Sequence, residues 1–236
     1  MVEHWLIIGA SGGIGRAFVD QLLAQGKQVS AISRQPLTEK VANLAWYTLP
    51  QADAPETASV LTTIFSQPVT AIVLCQGWLH GDSMQPEKTI RQLSALAMQQ
   101  SFQANIMSPA LYLQALFPFI QKLPNIKLAV LSAKVGSITD NQLGGWYSYR
   151  MSKAALNMLV KTTSIELARY NKTASLVSLH PGTTDTALSA PFQRNLPEGQ
   201  LQSAHATAER LLPVIAGLNP EQSGQLLNWD GQALPY

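Results

Sequence analysis

The sequence predicts an α/β fold: a doubly wound parallel sheet of seven strands with helices on both faces, in one domain spanning residues 1–236. Three observations carry that reading. Short β-rich apolar runs alternate with helix-length segments along the chain, as parallel strands joined by crossover helices require. Two of the runs, VTAIVLC and IKLAVLS, are apolar without alternation, so those strands are covered on both faces. Segments rich in Gly and Pro follow the strands, where an open parallel sheet opens its ligand crevice. At 236 residues the chain builds one large core more readily than two small ones.

In order, the strands are HWLIIGA, KQVSAIS, NLAWYTL, VTAIVLC, IKLAVLS, TASLVSLH and QLLNW. The helices are GIGRAFVDQLLAQG after the first strand and PETASVLTTIFSQ after the third, then the long region from Glu87 to Gln121 after the fourth. YRMSKAALNMLVKTTSIELARY follows the fifth strand, and a last helix around SAHATAERLLPVIAGL follows the sixth. In the helix that begins near Tyr149, residues Ala155, Leu156, Leu159, Val160, Thr163 and Leu167 recur at helical spacing and define one buried stripe. Repeats, linkers and low-complexity segments are absent from the sequence.

Composition narrows the function. Hydrophobic residues make up 46% and charged residues 13%, which leaves much helix surface uncharged and points to a homo-oligomer. A net charge of +2 without a basic run gives no footprint for nucleic acid or an anionic membrane. The single Cys75 excludes an internal disulfide and a cysteine-based zinc site. His4, His80, His180 and His205 have no mutual ligand spacing, so no metal is expected. MVEHWLIIGA carries an acid and too short an apolar run for a signal peptide, and no stretch reaches membrane-spanning length. A cytoplasmic protein without a membrane partner is expected.

Immediately after the first strand comes GASGGIG, Gly9 to Gly15, which opens a helix. Glycines there let the backbone turn sharply and bring a pyrophosphate to the free N–H groups and positive dipole end of the helix. The spacing is not G-x-G-x-x-G, and a tight turn that needs small residues is the plainer alternative; the flanking strand and helix favour the nucleotide. No Lys-Ser or Lys-Thr follows, which disfavours a phosphate-cleaving loop. At the end of the second strand, where an acid would read the ribose of NAD, stand Ser33 and Arg34. Serine does not repel a 2′-phosphate and the guanidinium pairs with one, so NADP is the better match, with NAD still possible. The alternative is that Arg34 is a solvated loop charge.

Tyr149 and Lys153 stand four residues apart at the opening of a helix, after a Gly-rich loop from a central strand. Residues i and i+4 share a helix face. An ammonium near a phenol favours the phenolate and draws its pKa down from about 10 toward the working range of an acid-base catalyst. An amphipathic helix with an exposed Tyr and Lys is the plainer reading, but it leaves the nucleotide signals unexplained.

With GASGGIG, YRMSKAAL, HPGTTDT and the NIMSP of the middle helix together, the chain resembles a short-chain dehydrogenase/reductase with a Rossmann-like fold over essentially its full length. The loop GSITDNQLGGWYSYR and the ending NWDGQALPY look most similar to the carbonyl-reductase and C-factor-like branch. The resemblance implies Tyr149 as proton donor, Lys153 as its tuner and ribose contact, Asn105 as support for a water relay, and a serine that orients the carbonyl. It implies cofactor contacts at Gly9, Ser11, Gly13, Ile14, Gly15, Ser33, Arg34 and Gly77, at Tyr149 and Lys153, and at Pro181, Gly182, Thr184 and Thr186, with a small carbonyl compound as substrate. Three positions depart from the family pattern. Ile8 replaces the threonine before the first glycine, and LCQG replaces Asn-Asn-Ala-Gly, leaving only Gly77. Ala133 replaces the second serine of the pair that ends the fifth strand, with Ser132 and Ser137 flanking it; Ser132 is the favoured substitute.

The leading reading is therefore an NADP-dependent oxidoreductase that moves a hydride between nicotinamide and a carbonyl or secondary alcohol. Ala133 keeps a nucleotide-binding regulatory or signalling protein with weak turnover as its rival, and a nucleotide-sugar epimerase ranks last because little chain follows the sixth strand. Among the remaining residues, His80 could face substrate but reads better as a surface-loop histidine, Cys75 as a small packing hydrophobe, and Trp146 and Tyr147 either as pocket walls or as core. The segment Leu188 to Gln202 determines the substrate without naming it.

Overall fold

The computed structural model describes residues 2–81 and 84–236. Met1, and Asp82 and Ser83 in the loop after the fourth strand, lie outside the described residues. In chain order the elements are β1 (His4–Ile8), α1 (Gly13–Ala24), β2 (Gln28–Ser33), β3 (Leu44–Thr48), α2 (Thr57–Ile64), β4 (Ala71–Leu74), α3 (Ala95–Phe102), α4 (Ser108–Ile120), β5 (Lys127–Leu131), α5 (Tyr147–Tyr170), β6 (Ser175–Leu179), β7 (Thr183–Asp185), β8 (Leu201–Ser203), α6 (Ala204–Ala216), β9 (Leu226–Leu227) and β10 (Ala233–Leu234).

All seven predicted strands are present, but the main sheet has eight, in the order β10-β9-β6-β5-β4-β1-β2-β3. The extra strand β10 pairs antiparallel with β9 through Ala233 and Leu234 alone, too short a segment to read as a strand from its pattern. A separate two-stranded parallel sheet, β7 with β8, ties the end of the HPGTTDT loop to the end of the segment Leu188 to Gln202. The other main-sheet pairings are parallel.

Period-two alternation distributes the strand side chains between two cores. Leu6, Ile8, Leu128 and Val130 face α2, α4 and α5, where Leu61, Leu116, Leu156 and Val160 are buried. Trp5, Ile7, Ala129 and Leu131 face α1 and α6, packing on Phe18, Leu22, Leu211 and Ile215. Of the stripe predicted for α5, Leu156, Val160 and Leu167 are buried, while Ala155, Leu159 and Thr163 are half-buried; Ser152, Lys153, Asn157 and Ser164 complete the buried side. The region 87–121 is helical from Ala95 on, with a single π-helical turn at Gln103–Met107 joining α3 to α4.

The chain runs outward from β1 through β2 to β3, then returns to β4 on the other side of β1. Between β1 and β4 lies the switch point where such a sheet opens a crevice at its carboxyl ends. Gly9 sits there at φ +86°, and a Cβ on it would come within 3.2 Å of the Cys75 carbonyl carbon. Among the described residues no helix is long and apolar enough to cross a membrane.

Candidate active site

The crevice is a cavity of about 480 Å³, bounded by Ile14 and Gly77 at the switch point, by Ser132 and Ala133 after β5, by Tyr149 and Lys153 on α5, and by Pro181, Gly182, Thr184 and Thr186 after β6. Nine of the sequence-predicted positions thus line one space, of which Tyr149 is 8% and Lys153 2% exposed.

The glycine turn is built for close approach. A Cβ on Gly15 would collide with the Gly9 carbonyl, and one on Gly13 would lie 2.7 Å from the Thr186 methyl group, so the turn nests against the loop after β6. Helix α1 starts with no side-chain cap and no acid in its first turn, which leaves its N-terminal amides available to an anion. Ser33 is buried and donates to Ser11 Oγ at 2.8 Å, while Arg34 projects into solvent beyond the end of β2. Tight glycines and an uncapped helix start fit the pyrophosphate of a dinucleotide.

Tyr149 is the third residue of α5, within its first turn. Among the described residues no group hydrogen-bonds its hydroxyl; the ring packs edge-on to Trp146, with centroids 6.2 Å apart. Lys153 Nζ lies 5.8 Å from the Tyr149 ring centre and donates to the Leu131 carbonyl at 3.0 Å. The expectation that the ammonium draws the phenol down is reversed among the chain's own groups. Burial pushes the phenol up and the ammonium down to about 8, because both leave water. Gly136 makes this placement possible, since a Cβ there would lie 2.7 Å from the Lys153 carbonyl carbon.

Asn105 is fully buried in the π-helical turn and braces the site from behind. Its Oδ1 accepts from Trp78 N at 2.7 Å, and its Nδ2 donates to Trp78 O at 2.8 Å and to Ser152 Oγ at 3.0 Å. Ser152 lies on α5 between Tyr149 and Lys153, so one amide locks the loop after β4 to α5. π-turns of this kind cluster at functional sites. Ser132 lines the cavity, but its hydroxyl donates to Asn157 Oδ1 at 2.7 Å. Ser137 is buried, and its Oγ accepts from Asp140 N at 3.1 Å. Ala133 keeps extended geometry, φ −155° and ψ 146°, and places only a methyl group beside the cavity.

The apolar end of the cavity is walled by Leu79, Leu143, Trp146, Leu188, Phe192 and Leu196. Trp146 takes the pocket-wall role; its ring centre is 5.0 Å from that of Phe192. Tyr147 is half-buried and Cys75 packs against the core while touching the cavity, its thiol pushed up by burial. His80, in the loop after β4, meets Ala187 O at 3.1 Å and the edge of Phe192.

Glu87 is a residue the sequence reading did not single out. Its buried carboxylate accepts from Ser148 N at 3.1 Å and from Ser148 Oγ, and its carbonyl accepts from Trp146 N at 2.5 Å. It caps α5 from another part of the chain, where Trp146 holds left-handed geometry at φ 51° and supplies no cap. Its only sequence signal is an acid among Pro and polar residues 61 positions before its partner. Among the described residues no cluster of His, Cys, Asp and Glu could hold a metal ion.

A short chain dehydrogenase family model matches residues 3–197. The C-signal protein of Myxococcus xanthus is 34% identical over 139 residues, 59% of this chain and 78% of that protein. Benzil reductase ((S)-benzoin forming) of Bacillus subtilis is 28% identical over 195 residues, 80% of this chain and 77% of that one. Among solved structures, the NADPH-bound carbonyl reductase from chicken fatty liver superposes with a TM-score of 0.82 at 27% identity, covering 100% of this chain and 94% of that one. The carbonyl reductase Sniffer of D. melanogaster, at a TM-score of 0.83 and 21% identity with both chains fully covered, shares the fold.

Proposed function

The chain belongs to the short chain dehydrogenase family and is an oxidoreductase, and on that premise we propose that it is an NADP-dependent reductase of apolar aldehydes or ketones, with Tyr149 as proton donor and Lys153 as its charged neighbour. The observation that carries this is the Tyr149 phenol, without a hydrogen-bond partner among the described residues and facing a cavity that joins the glycine turn to an aromatic wall. The relatives named as carbonyl and benzil reductases support the same class.

When bound, the nicotinamide supplies the hydride. Gly9, Ser11, Gly13, Ile14 and Gly15 would hold the pyrophosphate side, Ser33 and Arg34 the adenosine ribose and its phosphate, and Gly77, Lys153, Pro181, Gly182, Thr184 and Thr186 the nicotinamide end. Burial keeps the Tyr149 phenol protonated, so the site rests ready to donate to a developing alkoxide. Lys153 contributes positive charge beside the phenol in a space that water screens poorly. Asn105 holds the Trp78 loop and Ser152 in place, and a proton relay past it remains part of the proposal. Ser132 would serve as second donor only by releasing Asn157. Leu188, Phe192, Leu196 and Trp146 favour an aromatic or aliphatic carbonyl compound. Exposed Met151, Met158, Ile165 and Tyr170 along α5 support the homo-oligomer, which light scattering would check.

Purified protein with NADPH and a panel of aldehydes, ketones and quinones tests the reading. Turnover that Tyr149→Phe abolishes is expected. The Ser132–Asn157 bond and the methyl group of Ala133 favour one second reading, a nucleotide-binding regulator with weak turnover; NADPH binding without oxidation across the whole panel would establish that reading instead.

A further inference from the structure

On the far side of the Pro181–Gly182 turn lies a second cavity of about 210 Å³. His180, Gly182, Thr183 and Gln200 wall both it and the main cleft, and Gln202, Arg210 and Trp229 close it. Arg210, on α6, lies over the Trp229 indole with its guanidinium carbon 4.4 Å from the ring centre, and its Nη2 donates to Pro181 O at 3.2 Å. That single bond uses one of five N–H donors. Among the described residues Arg210 Nε is buried without a partner, and so is His180 Nδ1. Among the described residues the ion pairs are Arg16 with Asp20, Lys27 with Glu3 and Lys134 with Asp140, so no carboxylate answers Arg210.

These features are more than a brace for the turn requires. A guanidinium stays charged at every working pH, and buried donors left unmatched cost free energy. Held over an indole ring and tied to a backbone carbonyl, it is preorganised for the planar or tetrahedral oxygens that arginine recognises best. Gln200, Gln202 and Thr183 add neutral polar groups, and no acid lines the space to repel an anion. Gly182 keeps the turn open toward it: a Cβ there would come within 3.2 Å of both Arg210 Nη2 and Trp229 Cδ1. Burial together with the nearby Lys134 and Arg210 holds His180 neutral, pushed down to about 4, so its ring can donate or accept as a ligand demands.

We propose that this cavity is an oxyanion subsite, in which Arg210, stacked on Trp229, binds a carboxylate or phosphate group with help from His180 and Gln202. The group has two possible sources: an acid arm of the substrate, which rests on the reductase reading above, or a separate small anion, which does not.

The test begins with full-length protein saturated with NADPH, so that the cofactor's own phosphate contacts are filled. Inorganic phosphate and acetate are titrated at constant ionic strength and pH, with chloride as the balancing ion, and melting temperature is recorded. A saturable rise is expected, with a midpoint displaced roughly tenfold or more upward in Arg210→Met, as loss of a charge-assisted contact implies. Gln202→Glu should do the same with Arg210 retained, because its carboxylate would occupy the guanidinium; it serves where the methionine variant fails to fold. No saturable rise, or the same midpoint in the unmodified protein and the variants, overturns the subsite. Comparing kcat/KM for 4-carboxybenzaldehyde and its methyl ester then identifies the source. A preference for the acid that Arg210→Met erases assigns the anion to the substrate; an unchanged ratio beside anion binding assigns it to a separate ligand. Absence of turnover would count against the reductase reading alone, since the titration needs no catalysis.

Discussion

The Ser132 hydroxyl donates to Asn157 Oδ1 at 2.7 Å, so the hydroxyl that ends β5 is directed onto helix α5 while its neighbour Ala133 offers the cavity a methyl group. Extended geometry at Ala133 sends successive side chains to opposite sides, which keeps the two residues from exchanging roles. Ala133→Ser should therefore raise kcat for a carbonyl substrate by about ten- to a hundredfold, within what one added oxyanion donor contributes. Ser132→Ala should leave kcat within roughly threefold but lower stability by about 1–2 kcal/mol, because a buried amide oxygen loses its partner. A large fall in kcat at unchanged stability would instead identify Ser132 as the second donor.

Tyr149→Phe should remove most of kcat and leave NADPH affinity nearly intact, because only the transferable proton is lost. The pH profile follows from the two shifts. The phenol, pushed up by burial, stays protonated through the neutral and mildly alkaline range. Lys153, pushed down to about 8, loses its charge above that pH. If the ammonium assists donation, kcat/KM for reduction is level below about pH 8 and falls as pH rises through it, since kcat/KM reports the free protein. A profile flat from pH 6 to about 10 would remove Lys153 from the electrostatics of the step.

The strands β1, β4, β5 and β6 were legible because they are buried on both faces and their apolar runs therefore lack interruption. The glycine turn, Tyr149, Lys153 and the loop after β6 were legible because each sits at a strand or helix end that the alternation of elements locates. Depth was not. The i, i+4 spacing gives the proximity of Tyr149 and Lys153 but not their removal from water, and burial decided the sign of both shifts. Long-range polar pairs were equally hidden: Ser132 finds Asn157 25 residues on, and Glu87 finds Ser148 61 residues on. Nor does composition mark the π-turn that aims Asn105 at Trp78.

Arg34 projects from the end of β2 and forms no ion pair among the described residues. Losing one charge-assisted contact to a 2′-phosphate costs on the order of 1.5–3 kcal/mol. Arg34→Ala should weaken NADPH by roughly ten- to a hundredfold while sparing NADH, and NADPH binding by the unmodified protein should weaken with added salt. Equal affinity for the two cofactors at low salt, measured by titration, would refute the assignment.

Lys153 should cost the fold stability that Lys153→Met returns. The group's ordinary value is 10.5 and the folded one about 8. Between those values the unfolded chain binds more protons, so stability rises with pH there, and the penalty is fully present below about pH 8. Its size is about 3 kcal/mol at most, less whatever the bond from Nζ to the Leu131 carbonyl contributes. The methionine variant should melt a few degrees higher at pH 7, at ~2–4 °C per kcal/mol for a chain of this length. The gap should close as pH rises from about 8 toward 10.5. The raised Tyr149 phenol adds a term of opposite slope above its ordinary value, but both proteins carry it and it cancels in the difference. Turnover should vanish in the same variant, so the charge is kept at the expense of the fold. A variant that melts lower than the unmodified protein at pH 7 would mean that the buried ammonium is held by partners stronger than one carbonyl.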